Sequence, residues 1–382
     1  MSRVYLVPVL PAKRVYPNWA GKHLLKMETV DLKLAPSDEA VRLGIIGTGL
    51  AVKWIHWPVL QKLAGMYTVV TVCDIDPAAA EATAQKAAEE LGSPGCTWTT
   101  DYHDVLSNPA VEAVLIALPI QLTARVILEA VRAGKHVLAE KPLASNLEQA
   151  RNLVETLGEY KNLVVEIAEN YHYRTDLQKA KEWIAAGRIG EPILIEMSSH
   201  HWVDKDRGFG TTPWRQTDEY GGGILVDAAI HHIAGLRELG GDIARLQAFI
   251  TSAHPFMAGP DTLNLSLQFR NGVIGSLLFS GAIKTAQPRY MEVAVYGTRG
   301  EIKISYGQAV LNASSGENDK PTLVEEVTLT REDSGYLSEF KNFYEAIRQG
   351  AAVISTVEET YHDFEIITQA INSAASGQIV QF

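Results

Sequence analysis

Val41-Arg42-Leu43-Gly44-Ile45-Ile46-Gly47-Thr48-Gly49 is a short, mostly apolar run that closes on two glycines one residue apart. A run of this length suits a buried strand of a parallel sheet. A segment rich in Ala, Trp and Leu follows and reads as a helix. Strand, glycine turn and helix form the context in which such glycines point to a bound dinucleotide. The glycines permit a tight turn and a close backbone approach, and the helix N-terminus offers free N–H groups to a pyrophosphate. The third position of the usual GxGxxG spacing is Val52, which sets the helix slightly further from the strand.

Working outward, Tyr67 to Cys73 is the next strand and ends in Asp74-Ile75-Asp76-Pro77. Asp76 reads as the N-cap of a helix over Ala78 to Leu91, with Pro77 at its first position. Asp74 stands at the strand tip, 25 residues past Gly49, where a carboxylate would accept from ribose hydroxyls. It would repel a 2′-phosphate and no arginine stands beside it, so NAD is favoured over NADP. Val111 to Leu118 is a strand, Thr123 to Arg132 a helix, and Gly134 to Pro142 a further strand ending in Glu140-Lys141-Pro142. Ser145 and Glu148 read as a capping box for a helix over Leu147 to Leu157, and Leu163 to Ala168 is again a strand. This alternation predicts a mainly parallel, doubly wound α/β sheet over 41–168.

Beyond it the pattern changes. Thr175 and Gln178 read as a second capping box, for a helix ending near Gly187. From Pro192 onward β-rich runs dominate (193–199, 246–251, 262–270, 273–280 and 291–296), joined by turns such as Arg270-Asn271-Gly272. Helices are expected near 336–348 and 357–375. The second domain, 169–382, is therefore an α+β unit on a large, mostly antiparallel sheet. Residues 1–40, with Pro8, Pro11, Pro17 and Pro36, read as an extended arm that packs on its own body or on a neighbouring subunit.

Composition narrows the function classes. The 382 residues are 46% hydrophobic and 21% charged, with a net charge of −11. That balance disfavours nucleic acid and anionic lipid as partners. Cys73 and Cys96 are the only cysteines, so no disulfide framework or CxxC metal motif is present. No apolar stretch is long enough to cross a bilayer and the N-terminus does not read as a signal peptide, so a cytoplasmic location is the default.

Three residues carry chemistry. A strand that ends in Lys141 and then Pro142 puts an ammonium at the carboxyl edge of the sheet, although a surface lysine capping a strand is the bland alternative. Gly221-Gly222-Gly223 precede a helical segment in which Asp227 and His231 are four apart and share a face. The glycines would let another molecule approach the backbone. The carboxylate would orient the imidazole, which suits a group taking a proton from a hydroxyl as hydride leaves the same carbon. A helix salt bridge is the alternative. His232 points elsewhere and reads as packing. Tyr171, Trp202, Trp214 and Arg215 suit a polyhydroxylated ring, by stacking and by hydrogen bonding. Convergence of His200, His201, His231, His232 and Asp227 on a metal is disfavoured for lack of tight motif spacing, and no metal is expected.

The order Gly47-x-Gly49, Asp74, Glu140-Lys141-Pro142, glycine run, Asp227-x-x-x-His231 resembles the glucose–fructose oxidoreductase/inositol dehydrogenase/rhizopine-catabolism (Gfo/Idh/MocA) family. Ala133-Gly134-Lys135-His136-Val137 and Tyr296-Gly297-Thr298-Arg299-Gly300 are similar to it as well, and the resemblance spans about 41–382. It implies an N-terminal Rossmann domain and hydride transfer between a nicotinamide and a sugar, polyol or related compound. It assigns the cofactor, NAD with NADP as the alternative, to Gly47, Thr48, Gly49, Asp74, Pro119, Glu140 and Lys141. His231 would be the general base or acid, and Lys141 would stabilise the reacting oxygen. Asp227 would orient substrate and imidazole. The resemblance also allows a cis bond at Lys141–Pro142 and implies a homodimer or homotetramer through the exposed sheet face. Val52 and Thr123 depart from the family pattern, Thr123 standing where members often carry a histidine near the nicotinamide. A redox-neutral NAD-dependent glycosidase and a cofactor-sensing regulator of the same fold are the rival readings.

Overall fold

The computed structural model describes residues 39–217, 222–305, 307–316 and 319–382. The N-terminal arm, apart from its last two residues, lies outside them. The first sheet runs β1 (Val41–Ile46), β2 (Tyr67–Cys73), β3 (Thr97–Thr99), β4 (Ala113–Ile116), β5 (His136–Glu140) and β6 (Val165–Ala168). Its spatial order is β3-β2-β1-β4-β5-β6, with every pairing parallel. This is the doubly wound order, whose switch point lies between β1 and β4. The crossovers carry α1 (Trp57–Lys62), α2 (Pro77–Glu90), α3 (Tyr102–Ser107), α4 (Ile120–Arg132) and α5 (Leu147–Leu157). A π turn, Val52–His56, leads into α1. Pro58 has no N–H to donate within that segment, which suits an irregular turn just before it.

The second sheet has nine strands. They are β7 (Pro192–His200), β8 (Ile243–Thr251), β9 (Thr262–Phe269), β10 (Ile274–Ser280), β11 (Arg289–Gly297), β12 (Gly300–Ser305), β13 (Gln308–Ala313), β14 (Thr322–Thr328) and β15 (Val380–Gln381). All pair antiparallel except β7 with β10. Strands β12 to β15 were not singled out by their sequence pattern. Inward residues such as Ile195, Met197, Leu265, Leu277 and Val295 meet α6 (Thr175–Ala185), α7 (Ile230–Gly240) and α9 (Val357–Ser376) in one core. The opposite face of the sheet leaves Phe249, Ile274 and Leu278 exposed.

The remaining helix, α8 (Tyr336–Gln349), returns to the first sheet. Its Phe340 and Phe343 are fully buried with Leu43, Ile45, Tyr67, Leu115 and Leu138. Burial of rings this large contributes about 1.5–3 kcal/mol each. The Tyr67 hydroxyl donates to the Phe340 carbonyl at 2.6 Å, and Arg348 binds Glu112 through both terminal nitrogens.

Asp76 caps α2, with Pro77 at the first turn, as expected. Both proposed capping boxes are corrected. Asn146, not Ser145, caps α5 by accepting from the Gln149 N–H at 2.9 Å, and Ser145 instead donates to the Gln149 side chain. Thr175 lies inside α6, whose N-cap Arg174 makes no capping bond, and Gln178 reaches back to the His172 carbonyl and to Glu238.

Candidate active site

The strands of the first sheet end at one edge, where open α/β sheets bind ligands. Gly47 follows β1 with φ +90°, and a Cβ there would come within 2.3 Å of the Ala117 carbonyl oxygen. Only glycine fits. At Gly49, by contrast, nothing lies within 4 Å of where a Cβ would stand. That leaves open space beside the head of a helical segment, as a pyrophosphate requires. The Asp74 carboxylate accepts from the Thr48 N–H at 2.8 Å and the Thr48 hydroxyl at 2.7 Å through one oxygen. Its other oxygen accepts from the Asp76 N–H at 3.0 Å. The tips of β1 and β2 are thus tied together, with a half-exposed acid at the position that reads ribose hydroxyls. Pro119 stands at the head of α4, past β4 on the far side of the switch point. The residues present therefore fit a dinucleotide.

At the end of β5 the Lys141–Pro142 peptide is cis. The Lys141 ammonium donates to the Asp227 backbone carbonyl at 2.6 Å and to its Oδ1 at 3.1 Å. Arg215, on the short turn Pro213–Gln216, grips the same carboxylate from the other side. Its Nε lies 2.5 Å from Oδ2 and its Nη2 3.0 Å from Oδ1. This is a two-point fork of the kind that fixes a carboxylate's orientation. Burial alone would raise the Asp227 carboxyl, but Arg215 and Lys141 pull it far below the ordinary carboxylate range. Two cations on one anion leave the cluster net positive, which suits an oxygen that gains negative charge during reaction.

One expectation is overturned here. Asp227 does not orient His231. The imidazole Nδ1 lies 2.7 Å from Oε1 of Glu169. Leu225–Ala229 form a π turn ahead of α7, so the α-helical facing rule for residues four apart does not hold across it. Tyr171 packs flat on His231, ring centroids 5.1 Å apart and planes within 21°, and the Arg174 guanidinium lies 5.0 Å from the same tyrosine ring. Tyr171 is mostly buried, so it reaches the site as a backing for the imidazole.

Glu140 turns to His56, which is fully buried, with His56 Nε2 2.8 Å from Oε1. Burial raises the Glu140 carboxyl, yet the His56 hydrogen bond and neighbouring positive charge bring it below its ordinary value. Trp202 stacks on His254 at 4.1 Å, with the Lys284 ammonium 4.2 Å from its ring. Those contacts are not with Lys141, Asp227 or His231. The side chain of Trp214 and all of Gly221 lie outside the described residues. Gly222 and Gly223 serve the chain's own packing, a correction to the reading that they admit another molecule. A Cβ on Gly222 would strike Val226 at 2.1 Å, and one on Gly223 would strike the Pro260 carbonyl at 2.5 Å. Among the described residues no group of three or more His, Cys, Asp or Glu side chains is placed to hold a metal ion.

Sequence reasoning passed over Glu169 and His56. For Glu169 a signal existed. It is an acid directly past β6, and β6 lies next to β5, with Ala168 paired to Glu140. Adjacent strand tips bring their following residues to the same edge. His56 left none, because the π turn that aims it is not legible as a period.

With this geometry established, comparison with known proteins decides the family. Residues 41–167 match the family model described as oxidoreductase family, NAD-binding Rossmann fold, and residues 181–382 match its C-terminal alpha/beta domain. The chain belongs to the Gfo/Idh/MocA oxidoreductase family. It is an oxidoreductase with an NAD-binding Rossmann domain. A similar protein is scyllo-inositol 2-dehydrogenase (NAD(+)) of Bacillus subtilis, 28% identical over 361 residues, covering 90% of this chain and 97% of the relative. Among solved structures, an oxidoreductase from Thermotoga maritima is 29% identical with a TM-score of 0.79, covering 90% of this chain and 98% of that one. Levoglucosan dehydrogenase in complex with NADH and levoglucosan shares the fold, with a TM-score of 0.76 at 22% identity and coverage of 90% and 99%. Among the described residues no helix is long and apolar enough to cross a membrane.

Proposed function

We propose that this Gfo/Idh/MocA oxidoreductase is a dehydrogenase that moves a hydride between NAD and a CH–OH group of a sugar, polyol or related compound. The observation that carries this reading is that Lys141 and His231 each pair with a buried acid and both act on the same Glu140, at the tip of β5. The nicotinamide, when bound, supplies the hydride acceptor. Gly47, Thr48, Gly49, Asp74 and Pro119 would hold the dinucleotide.

Within this reading His231 takes the hydroxyl proton and Lys141 steadies the oxygen as it becomes a carbonyl. Asp227 and Arg215 hold the ammonium in place. Arg215, Tyr171, Trp202 and Trp214 are the proposed substrate-side residues, with Tyr171 acting through His231. The similarity to scyllo-inositol 2-dehydrogenase supports a cyclic polyol as the first substrate to try. Assembly into a homodimer or homotetramer is part of the same reading, supported by the exposed apolar residues on the outer face of the second sheet.

The test is a nicotinamide absorbance assay across sugars, polyols and their oxidised forms, with NAD(H) and NADP(H) in parallel. Turnover confined to one stereochemical class supports the reading. Silence across the panel, with cofactor binding measured separately, overturns it in favour of the redox-neutral glycosidase or the regulator. A chromogenic glycoside then separates those two.

A further inference from the structure

Behind His231 lies a group of carboxyls that the reaction as described does not use. Glu169, directly past β6, is 1% exposed, and its Oε1 receives both the His231 Nδ1 contact at 2.7 Å and the Tyr171 N–H at 3.1 Å. Its Oε2 is buried without a hydrogen-bond partner. Glu339, on the first turn of α8, is fully buried and neither of its oxygens has a partner. Glu166, in β6, is fully buried too and accepts from the Tyr173 hydroxyl at 2.7 Å through one oxygen only. The groups that act on Glu169 and Glu339 are His231 on α7, His172 beside Tyr171, Glu140 on β5 and Glu166 on β6. Tyr336 on α8 lies within electrostatic reach of both Glu169 and Glu339.

Carboxylates this close cannot all be ionised in a dry site. The one that faces an imidazole gains from its charge, and the one without a partner is cheaper neutral. Burial raises Glu169, but His231 and His172 bring it below its ordinary value, whereas burial and its acidic neighbours push Glu339 well above.

We propose that Glu169 is the positioning residue of His231, accepting from its Nδ1–H so that Nε2 is the base that meets the substrate. The inference rests on the dehydrogenase reading. In the oxidising direction the substrate O–H bond breaks as Nε2–H forms, and the electron pair of the neighbouring C–H leaves as hydride to the nicotinamide. The Nδ1 proton stays on the ring, the Glu169 carboxylate stabilises the imidazolium that forms, and the Nε2 proton passes to solvent as the product leaves. The oxidation releases one proton in all. A carboxylate on the far ring nitrogen fixes which tautomer meets the substrate.

The experiment uses Glu169→Gln in the full-length protein. The amide keeps the size and a hydrogen-bond acceptor but loses the charge that stabilises the imidazolium. Expected are a fall in kcat of about 10- to 1000-fold with KM changed less than threefold, and an acidic limb of the kcat/KM profile displaced to lower pH. An unmoved profile with kcat retained overturns the proposal. The wild-type protein, free of substrate, gives a second readout through ¹⁵N-histidine ring spectra. The Nδ1–H form of His231 supports the pairing, and the Nε2–H form overturns it even if the variant fails to fold. Because that spectrum needs no turnover, a panel with no substrate would count against the dehydrogenase reading alone.

Discussion

The Lys141 ammonium binds Asp227 twice, at its backbone carbonyl oxygen as well as at its carboxylate. The first contact does not depend on the aspartate side chain, so the lysine is anchored to the turn ahead of α7 whatever occupies position 227. Lys141→Ala removes the cation and leaves Asp227 with Arg215 as its partner. Turnover is expected to fall by about 100- to 1000-fold, the range for losing one stabiliser of a developing oxyanion. NADH affinity, followed by fluorescence titration, stays within about threefold. Equal losses in both would identify a structural lysine.

In the proposed reading cofactor choice is set at the tip of β2, three strands from β5. Asp74 is fixed by Thr48, and its neighbour Ile75 is almost fully exposed. The double variant Asp74→Ala, Ile75→Arg exchanges a 2′-phosphate repeller for an attractor without disturbing the core. The ratio of kcat/KM for NADP over NAD should rise by at least about tenfold, since one such contact is worth roughly 1.4 kcal/mol or more. An unchanged ratio would mean that the ribose is held elsewhere.

The pH dependence of stability follows from Glu339 and Glu166. Burial raises both, Glu339 well above 4.5 and Glu166 to about 8. The folded chain therefore keeps protons that the unfolded chain releases above its own carboxyl range. Stability contributed by the neutral forms is present below the unfolded value and lost as pH climbs toward the folded one. Glu339→Gln should raise stability by about 1–3 kcal/mol at pH 8 and by much less at pH 5. Thermal melts at the two pH values check this, and an equal shift at both would refute it.

Assembly is tested on the outer face of the second sheet. Phe249→Asp with Leu278→Asp places two charges on paired neighbours of the same Asn264, on β8 and β10. Light scattering should show the variant as a monomer at concentrations where the unaltered chain is a dimer or tetramer. A variant of unchanged mass would locate the contact elsewhere.

How much of this was legible depended on whether the signal was periodic. Five strands of the first sheet read directly because each is a short apolar block, and Asp76 and Pro77 announce their helix; β3 was missed, since Thr97-Trp98-Thr99 is short and largely exposed. Strands β12 to β14 do not read directly either, because Lys303, Glu325 and Glu326 interrupt the apolar pattern toward one end of the second sheet, where β14 is a largely exposed edge strand. In the candidate site, Lys141 and His231 stand out in the sequence by residue type and neighbours, and the structure pairs each with a buried acid. The partner of His231 was not legible, since a π turn separates it from Asp227 and the strand order β5-β6 supplies Glu169 instead. The signal for Glu169 lay in strand adjacency, β6 beside β5, and not in residue spacing.

Helix α8 carries a consequence for anyone who would divide the molecule. Its two phenylalanines complete the hydrophobic filling under β1, β2 and β4, although some 170 residues of chain intervene after β6. A fragment stopping at Ala168 would therefore leave an apolar floor open to water, and a fragment starting there would carry two bare rings. No single scission yields a self-sufficient cofactor module. The same helix brings Glu339 within electrostatic reach of Glu140 and Glu169, so the last filling of the nucleotide-binding core and a member of that carboxyl group share one element.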